Sequence, residues 1–318
     1  MERIKLARDT KDMKVQEAYE KFIRIKKAKN LAEDTIKHYA VGYRYFSEFF
    51  DVSCPCTDIS IDTYYEYIEY LQKNKNANSV TMNTYLGALR TILYFFMEEG
   101  YINHFDIKLL KKEKQIKETY TDKELEKLLK KPDLKKCNFT EYRNWAMVNY
   151  FLGTGNRLRT ALNLKIGDLD FDNYLILMGK TKNGRQQLIP MSKSLATVLQ
   201  EYLVHRGGGK DDYVFCNTHG GQLTRDGTST LIRKYNKNRG VERTSIHAFR
   251  HTFAKNWILN GGDIFRLQKI LGHSSIDMVR NYVEMFSDDL KQDFEVYNPL
   301  DNLVKNNKTE AIRMRKRG

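Results

Sequence analysis

Through residues 12–104, apolar and aromatic side chains recur every three to four positions, and that period restricts the first third of the chain to packed helices. Val15, Ala18, Tyr19, Phe22 and Ile23 share one face; Ile36, Tyr39, Tyr43, Phe46, Phe49 and Phe50 share another. The spacing predicts a second helix starting near Asp34 or Thr35, a third over 61–72, and a fourth over 79–99 closed by Gly100. Four such helices make a small bundle, whose rings are expected in its core rather than as stacking platforms for bases.

The bundle gives way to KLLKKEKQIKETY, residues 108–120, where five lysines enclose a single acid, Glu113. That is the composition of a solvated linker, and of one that crosses a phosphate backbone. The expected division is a helical domain over 1–107, a basic linker over 108–119 and a second domain over 120–318.

Charge narrows the choice of partner. The 318 residues carry 54 Lys and Arg against 40 Asp and Glu, a net charge of +14, which points to a polyanion and first to double-stranded DNA. A soluble protein that is merely basic would show the same count. No long uncharged apolar run exists and the first residues have no signal-peptide core, so a membrane is the weaker option, and a cytoplasmic protein with no membrane partner is expected. No arm-type DNA-binding domain is expected before residue 12. Cys54, Cys56, Cys137 and Cys216 lack the spacing of a zinc site, so reduced thiols and no metal or other cofactor are expected.

The second domain reads as mainly α with a small antiparallel β-sheet. Thr121 and Glu124 form a capping box that opens a helix holding Leu125, Leu128 and Leu129. A longer apolar helix containing Trp145, Val148, Tyr150 and Phe151 stops at Gly153-Thr154-Gly155. Strands are expected at 168–171, 174–178 and 187–190, with Asn183-Gly184 as a type I′ hairpin turn. A helix over 195–205 leads to three glycines, a further strand-like piece covers 213–216, and the remainder is helical to about Tyr297.

The chemistry concentrates in SIHAFRHTFAKNWILNGGDIFRLQKILGHSSIDMVRNY, residues 245–282. His247 and Arg250 are three residues apart on one helix face, beside the apolar stripe of Ile246, Phe249, Phe253 and Trp257. An isolated His-x-x-Arg is more often a surface arginine with a satisfied histidine, so the pair acquires meaning only from the residues downstream of it. A helix ending at Gly272 puts His273 in a turn, with Ser274 or Ser275 capping the next helix, and Tyr282 lies about two turns into it. A tyrosine needs cationic neighbours to act as a nucleophile at neutral pH, because its ordinary pKa is roughly 10.

These residues, in this order, resemble the tyrosine recombinases, or phage-integrase family. The family pattern of Arg, Lys, His-x-x-Arg, His or Trp, and Tyr is matched by Arg157 in GTGNR, Lys182, His247 with Arg250, His273 in LGHSS, and Tyr282. The resemblance covers residues 120–290 closely and the N-terminal bundle more loosely. It selects Lys182, eight residues before Pro190, with Lys180 as the fallback on the same strand face. Three positions depart from the pattern: Thr160 stands where an acid is usual, Asn156 where an apolar residue is usual, and Val279 where threonine is common.

The resemblance implies a two-domain clamp around a duplex and a site-specific recombinase, the integrase or transposase of a mobile element. Arg157 and Arg250 would fork onto the scissile phosphate, and His273 would donate to it. His247 would accept or share the phenol proton, Lys182 would protonate the leaving 5′ oxygen, and Tyr282 would become a 3′-phosphotyrosine. It also implies a homotetramer on two synapsed duplexes, joined by the segment after Tyr282 that holds Phe286, Leu290 and Phe294, with an accessory bending or directionality factor. Chromosome-dimer resolution, DNA inversion, a relaxing type IB topoisomerase and a non-catalytic DNA-binding protein of the same fold are the alternatives.

Overall fold

The computed structural model describes residues 13–75, 77–111, 117–179, 187–273 and 275–286. The chain divides into two compact units, Met1–Gln115 and Ile116–Gly318.

The first unit is built from α1 (Val15–Ala28), α2 (Glu33–Ser47), α3 (Ile61–Asn74) and α4 (Ser79–Glu98). Helix α1 turns Val15, Ala18 and Phe22 inward; α3 buries Tyr64, Tyr67, Ile68 and Leu71; α4 buries Leu86, Leu89, Ile92, Leu93 and Phe96. Ser60 accepts the backbone N–H groups of Asp62 and Thr63, which satisfies two of the four orphan donors at the start of α3. Of the aromatic residues read as core, Phe22 and Phe46 are fully buried, whereas Tyr39, Tyr43, Phe49 and Phe50 pack against that core while partly exposed.

The second unit surrounds α6 (Phe139–Thr154), flanked by α5 (Asp122–Leu129), α8 (Lys193–Arg206), α9 (Arg225–Asn238) and α10 (Ile246–Leu259). Trp145, Ala146, Val148, Tyr150 and Phe151 are all buried, with Arg143 and Asn144 among them, so α6 is enclosed on nearly every side. The expected capping box is present: Thr121 N–H donates to Glu124 Oε2 at 2.8 Å and Glu124 N–H to Thr121 Oγ1 at 3.3 Å. A short helix α7 (Leu158–Asn163) leads to a sheet of β1 (Leu169–Asp170), β2 (Leu175–Met178) and β3 (Gln187–Pro190). The sheet is antiparallel throughout, with Leu169 opposite Ile176 and Ile176 opposite Ile189. Ile176, Met178 and Ile189 point into the core and Leu188 points out, as alternation requires.

Residues 213–216 do not form the expected strand. Tyr213 and Cys216 each make a single bridge, to Lys165 and Gln222, while Val214 and Phe215 sink into the core. The apolar run there serves packing rather than a ladder. The hairpin turn at Asn183-Gly184 and the helix beyond residue 286 lie outside the described residues. The last helices are α11 (Ile264–Leu271) and α12 (Asp277–Phe286), and α12 begins past both serines expected to cap it. Among the described residues no helix is long and apolar enough to cross a membrane.

Candidate active site

Helix α6 ends at Gly155, which takes a left-handed conformation (φ 64°) and turns the chain so that Arg157 starts α7. A Cβ on Gly155 would lie 2.7 Å from Leu271 Cδ2 and from Phe253 Cδ1, side chains of α11 and α10. Its carbonyl oxygen accepts Arg250 Nη1–H at 2.9 Å. Gly155→Ala therefore combines left-handed strain (about 1–2 kcal/mol) with overpacking (about 1–3 kcal/mol) and shifts an acceptor of Arg250. The expected result is a lower melting temperature together with slower DNA cleavage, read on the same preparation.

Arg250 is the centre of the cluster and only 4% exposed. Besides Gly155 it binds the Leu271 carbonyl at 2.8 Å and approaches His273 Nε2 at 2.5 Å, both through Nη2. Leu271 is the last residue of α11, and Gly272 (φ 61°) delivers His273 into the turn before α12. A guanidinium only donates, so Nε2 of His273 must offer its lone pair and the ring proton sits on Nδ1. That Nδ1 is buried and has no hydrogen-bond partner. A buried donor left unpaired costs about 1–3 kcal/mol, which a bound acceptor would return.

Tyr282 lies about one and a half turns into α12 and is only 2% exposed, packed with Ala254, Leu267, Leu271 and Val279. Its hydroxyl meets His251 Nδ1 at 2.8 Å, and the Arg250 charge acts on the phenol. The Lys117 ammonium sits over the phenol ring, 4.1 Å from its centre. Lys117 is held there by its neighbour Tyr120, whose N–H donates to Thr252 Oγ1 at 2.8 Å and whose ring stacks on Phe249.

The electrostatics are one-sided. Burial, then Arg157, lowers Arg250 to about 10, while the Tyr282 phenol acts in the opposite sense. Burial lowers His273 to about 3 and His251 to about 4, reinforced by Arg250, Arg157 and Lys117 for the first and by Lys117, His247 and Arg250 for the second. His247, on the exposed rim, is lowered by desolvation and then by Arg250, Arg157 and Arg225. Burial raises the Tyr282 phenol, against the pull of Arg250 and Arg157. Every charged group acting on Arg250, His251 and His273, apart from the phenol itself, is basic.

The imidazole shifts have a sign that can be tested. A histidine whose folded pKa lies below its ordinary 6.5 leaves the unfolded chain binding more protons, so stability is lost as pH falls. The loss begins near pH 6.5 and continues towards about 4 for His251 and about 3 for His273. The melting temperature should fall between pH 7 and 5, and fall less steeply in a His251→Asn, His273→Asn double variant.

Five of the six residues singled out by sequence, Arg157, His247, Arg250, His273 and Tyr282, surround this one cluster. Lys182 and its fallback Lys180 lie outside the described residues. Two further groups were missed. His251 follows Arg250 directly and falls one helical turn after His247, a periodicity that could have flagged it. Lys117 carried no local signal, because it reads as one lysine of a linker.

Comparison with known proteins gives the family. The model of the Phage integrase SAM-like domain matches residues 14–114 and that of the Phage integrase family matches residues 118–288. Tyrosine recombinase XerD of Listeria monocytogenes serotype 4b (strain F2365) is 28% identical over 286 residues, 85% of this chain and 94% of that protein. Tyrosine recombinase XerC of Leptospira interrogans serogroup Icterohaemorrhagiae serovar copenhageni (strain Fiocruz L1-130) is 26% identical over 300 residues, 90% and 94% of the two chains. Among solved structures, the Tn1549 transposon integrase in complex with circular intermediate DNA is 25% identical, with a TM-score of 0.69 over 85% of this chain and 95% of that one. With a basic cluster closed around a buried phenol and family matches spanning nearly the whole chain, this protein belongs to the phage integrase family, the tyrosine recombinases that cleave and rejoin DNA.

Proposed function

We propose that this chain performs site-specific strand exchange for a mobile element, through a covalent 3′-phosphotyrosine at Tyr282. The observation that carries this reading is the uncompensated positive charge around the phenol: Arg250, Arg157 and Lys117 have no carboxylate among the groups that shift the site's histidines. Such a site is incomplete without an anion, and a phosphodiester supplies one.

In this reading Arg250, already fixed by two carbonyl groups and His273, and Arg157 hold the non-bridging oxygens. His273 donates its unpaired Nδ1–H to the phosphate, and His247 approaches the same oxygens from the rim. The Tyr282 oxygen attacks phosphorus and the 5′ oxygen leaves, taking a proton from Lys182. The phosphotyrosine keeps the bond energy of the broken strand, so rejoining requires only the return attack of a 5′ hydroxyl.

The partners of this reading are double-stranded DNA, three further copies of the chain, and an accessory factor that sets direction. An open cavity of about 390 Å³, lined by Leu152, Phe253, Trp257 and Gly262, supports assembly. It would take the segment after Tyr282 from a neighbouring copy, with Phe286, Leu290 and Phe294 as its apolar side chains. The mobile-element assignment draws support from the transposon integrase, and the XerD relative supports site-specific recombination.

The test uses nicked suicide duplexes cut from the DNA flanking the gene. A denaturing gel should show a protein–DNA adduct that proteinase removes. No adduct with any flanking duplex would overturn the reading, and strand exchange between two duplexes separates recombination from relaxation.

A further inference from the structure

We propose that His251 is the proton acceptor for the Tyr282 nucleophile, a role that the resemblance to the tyrosine recombinases implied for His247. The assignment rests on the phosphotyrosine chemistry proposed above and specifies which side chain activates the phenol.

Geometry separates the two histidines. His251 Nδ1 lies 2.8 Å from the Tyr282 oxygen, within direct proton-transfer distance. His247 is one helical turn earlier, its ring centre 6.2 Å from that of His251, and among the described residues it makes no hydrogen bond to Tyr282. Arg250 lies close enough to pull the same phenol towards its charged form, and it can offer that oxygen only protons. In this assignment the Tyr282 hydroxyl donates to a lone pair on His251 Nδ1, with the His251 proton on Nε2.

The surroundings keep that lone pair available. Lys117 from the segment before α5, Arg250 and His247 from α10, His273 from the turn before α12, and Tyr282 from α12 face the ring or act on it. Burial, reinforced by the cations, holds His251 neutral at pH 7. In the resting site the phenol therefore keeps its proton. A bound phosphodiester offsets the cations and raises the basicity of His251 as the new bond acidifies the phenol oxygen.

The step balances within the site. The Tyr282 O–P bond forms as the P–O5′ bond breaks, the phenol proton passes to His251 Nδ1, and the 5′ oxygen receives a proton from Lys182. Rejoining reverses both transfers, with His251 returning its proton to the released phenol.

His251→Asn tests the role, because the Asn amide oxygen can accept the phenol hydrogen bond but cannot carry its proton. On the nicked duplex that wild type cleaves, the expected result is an intact melting curve, unchanged DNA retention and cleavage slower by about 10²-fold or more. A duplex with sulfur in place of the bridging 5′ oxygen has a leaving group that needs no proton, and His251→Asn should stay equally slow on it. Lys117→Gln, by removing a cation, should move the acid limb of the cleavage–pH profile to higher pH. Where His251→Asn fails to fold, His251→Gln carries the same measurements. Cleavage within about threefold of wild type, or rescue by the sulfur substrate, would overturn the assignment of His251 while leaving the phosphotyrosine reading intact. A wild-type chain that traps no DNA would overturn both.

Discussion

Replacing Tyr282 with Phe should abolish covalent attachment to nicked DNA while leaving the fold and DNA binding in place. The ring is buried and packs with Ala254, Leu267, Leu271 and Val279, and phenylalanine fills the same space. What disappears is one oxygen, hydrogen-bonded to His251. Losing a hydrogen bond of this kind costs about 0.5–1.5 kcal/mol, too little to unfold a unit with a core of this extent. The chemical consequence is total, because a phenyl ring has no atom that can attack phosphorus. The measurement is an adduct on a denaturing gel beside a retention assay on the same duplex. Persistent adduct in Tyr282→Phe would remove Tyr282 from the reaction; loss of retention would show that the variant had lost its structure.

Arg250→Lys should be the most damaging conservative change in the site. The guanidinium spans three acceptors in two directions, the carbonyl groups of Gly155 and Leu271 and Nε2 of His273. An ammonium keeps the charge but not the planar fork, and cannot reach the ends of α6 and α11 together. A buried carbonyl left without a donor costs about 1–3 kcal/mol, so the melting temperature should drop along with the rate. The expected loss in cleavage is about 10²–10³-fold, the cost of removing one preorganised donor from a developing charge. Without its acceptor contact to Arg250, His273 also loses the constraint that places its proton on Nδ1. A variant that cleaved at the wild-type rate would show that charge alone, rather than fork geometry, is what the phosphate needs.

Both predictions trace to one structural circumstance. Arg250 ties the end of α6, the end of α11 and His273 in the turn before α12 to a single side chain of α10. The three connections require two chain reversals that proceed through left-handed backbone, Gly155 and Gly272. The polar cluster thus belongs to the packing of the unit, and disturbing a glycine or the arginine is felt in stability and in chemistry at once.

Much of this was legible in the chain itself. Thr121 and Glu124 announce their capping box by a three-residue spacing, since each needs only the other's backbone. Gly272 closes α11 and leaves His273 in a turn for the same local reason. The order of Arg157, His247, Arg250, His273 and Tyr282 was enough to identify the family and to propose the reaction. Residues 213–216 show where local reasoning stops: an apolar run reads as a strand, but Val214 and Phe215 are taken up by the core and only isolated bridges form.

Only the tertiary structure decided how the site is wired. His247 and His251 are one turn apart and share a face, so periodicity cannot choose between them. The packing of α12 against α10 brings the phenol to His251 instead. Lys117 is one lysine among five until Tyr120 docks on Phe249 and Thr252 and carries it over the Tyr282 ring. The proton position on His273 follows from a guanidinium supplied by another helix. Helix caps and turns are set by neighbours within a few residues, so sequence determines them; proton positions and partners are set by side chains from distant elements, which only folding brings within 3 Å.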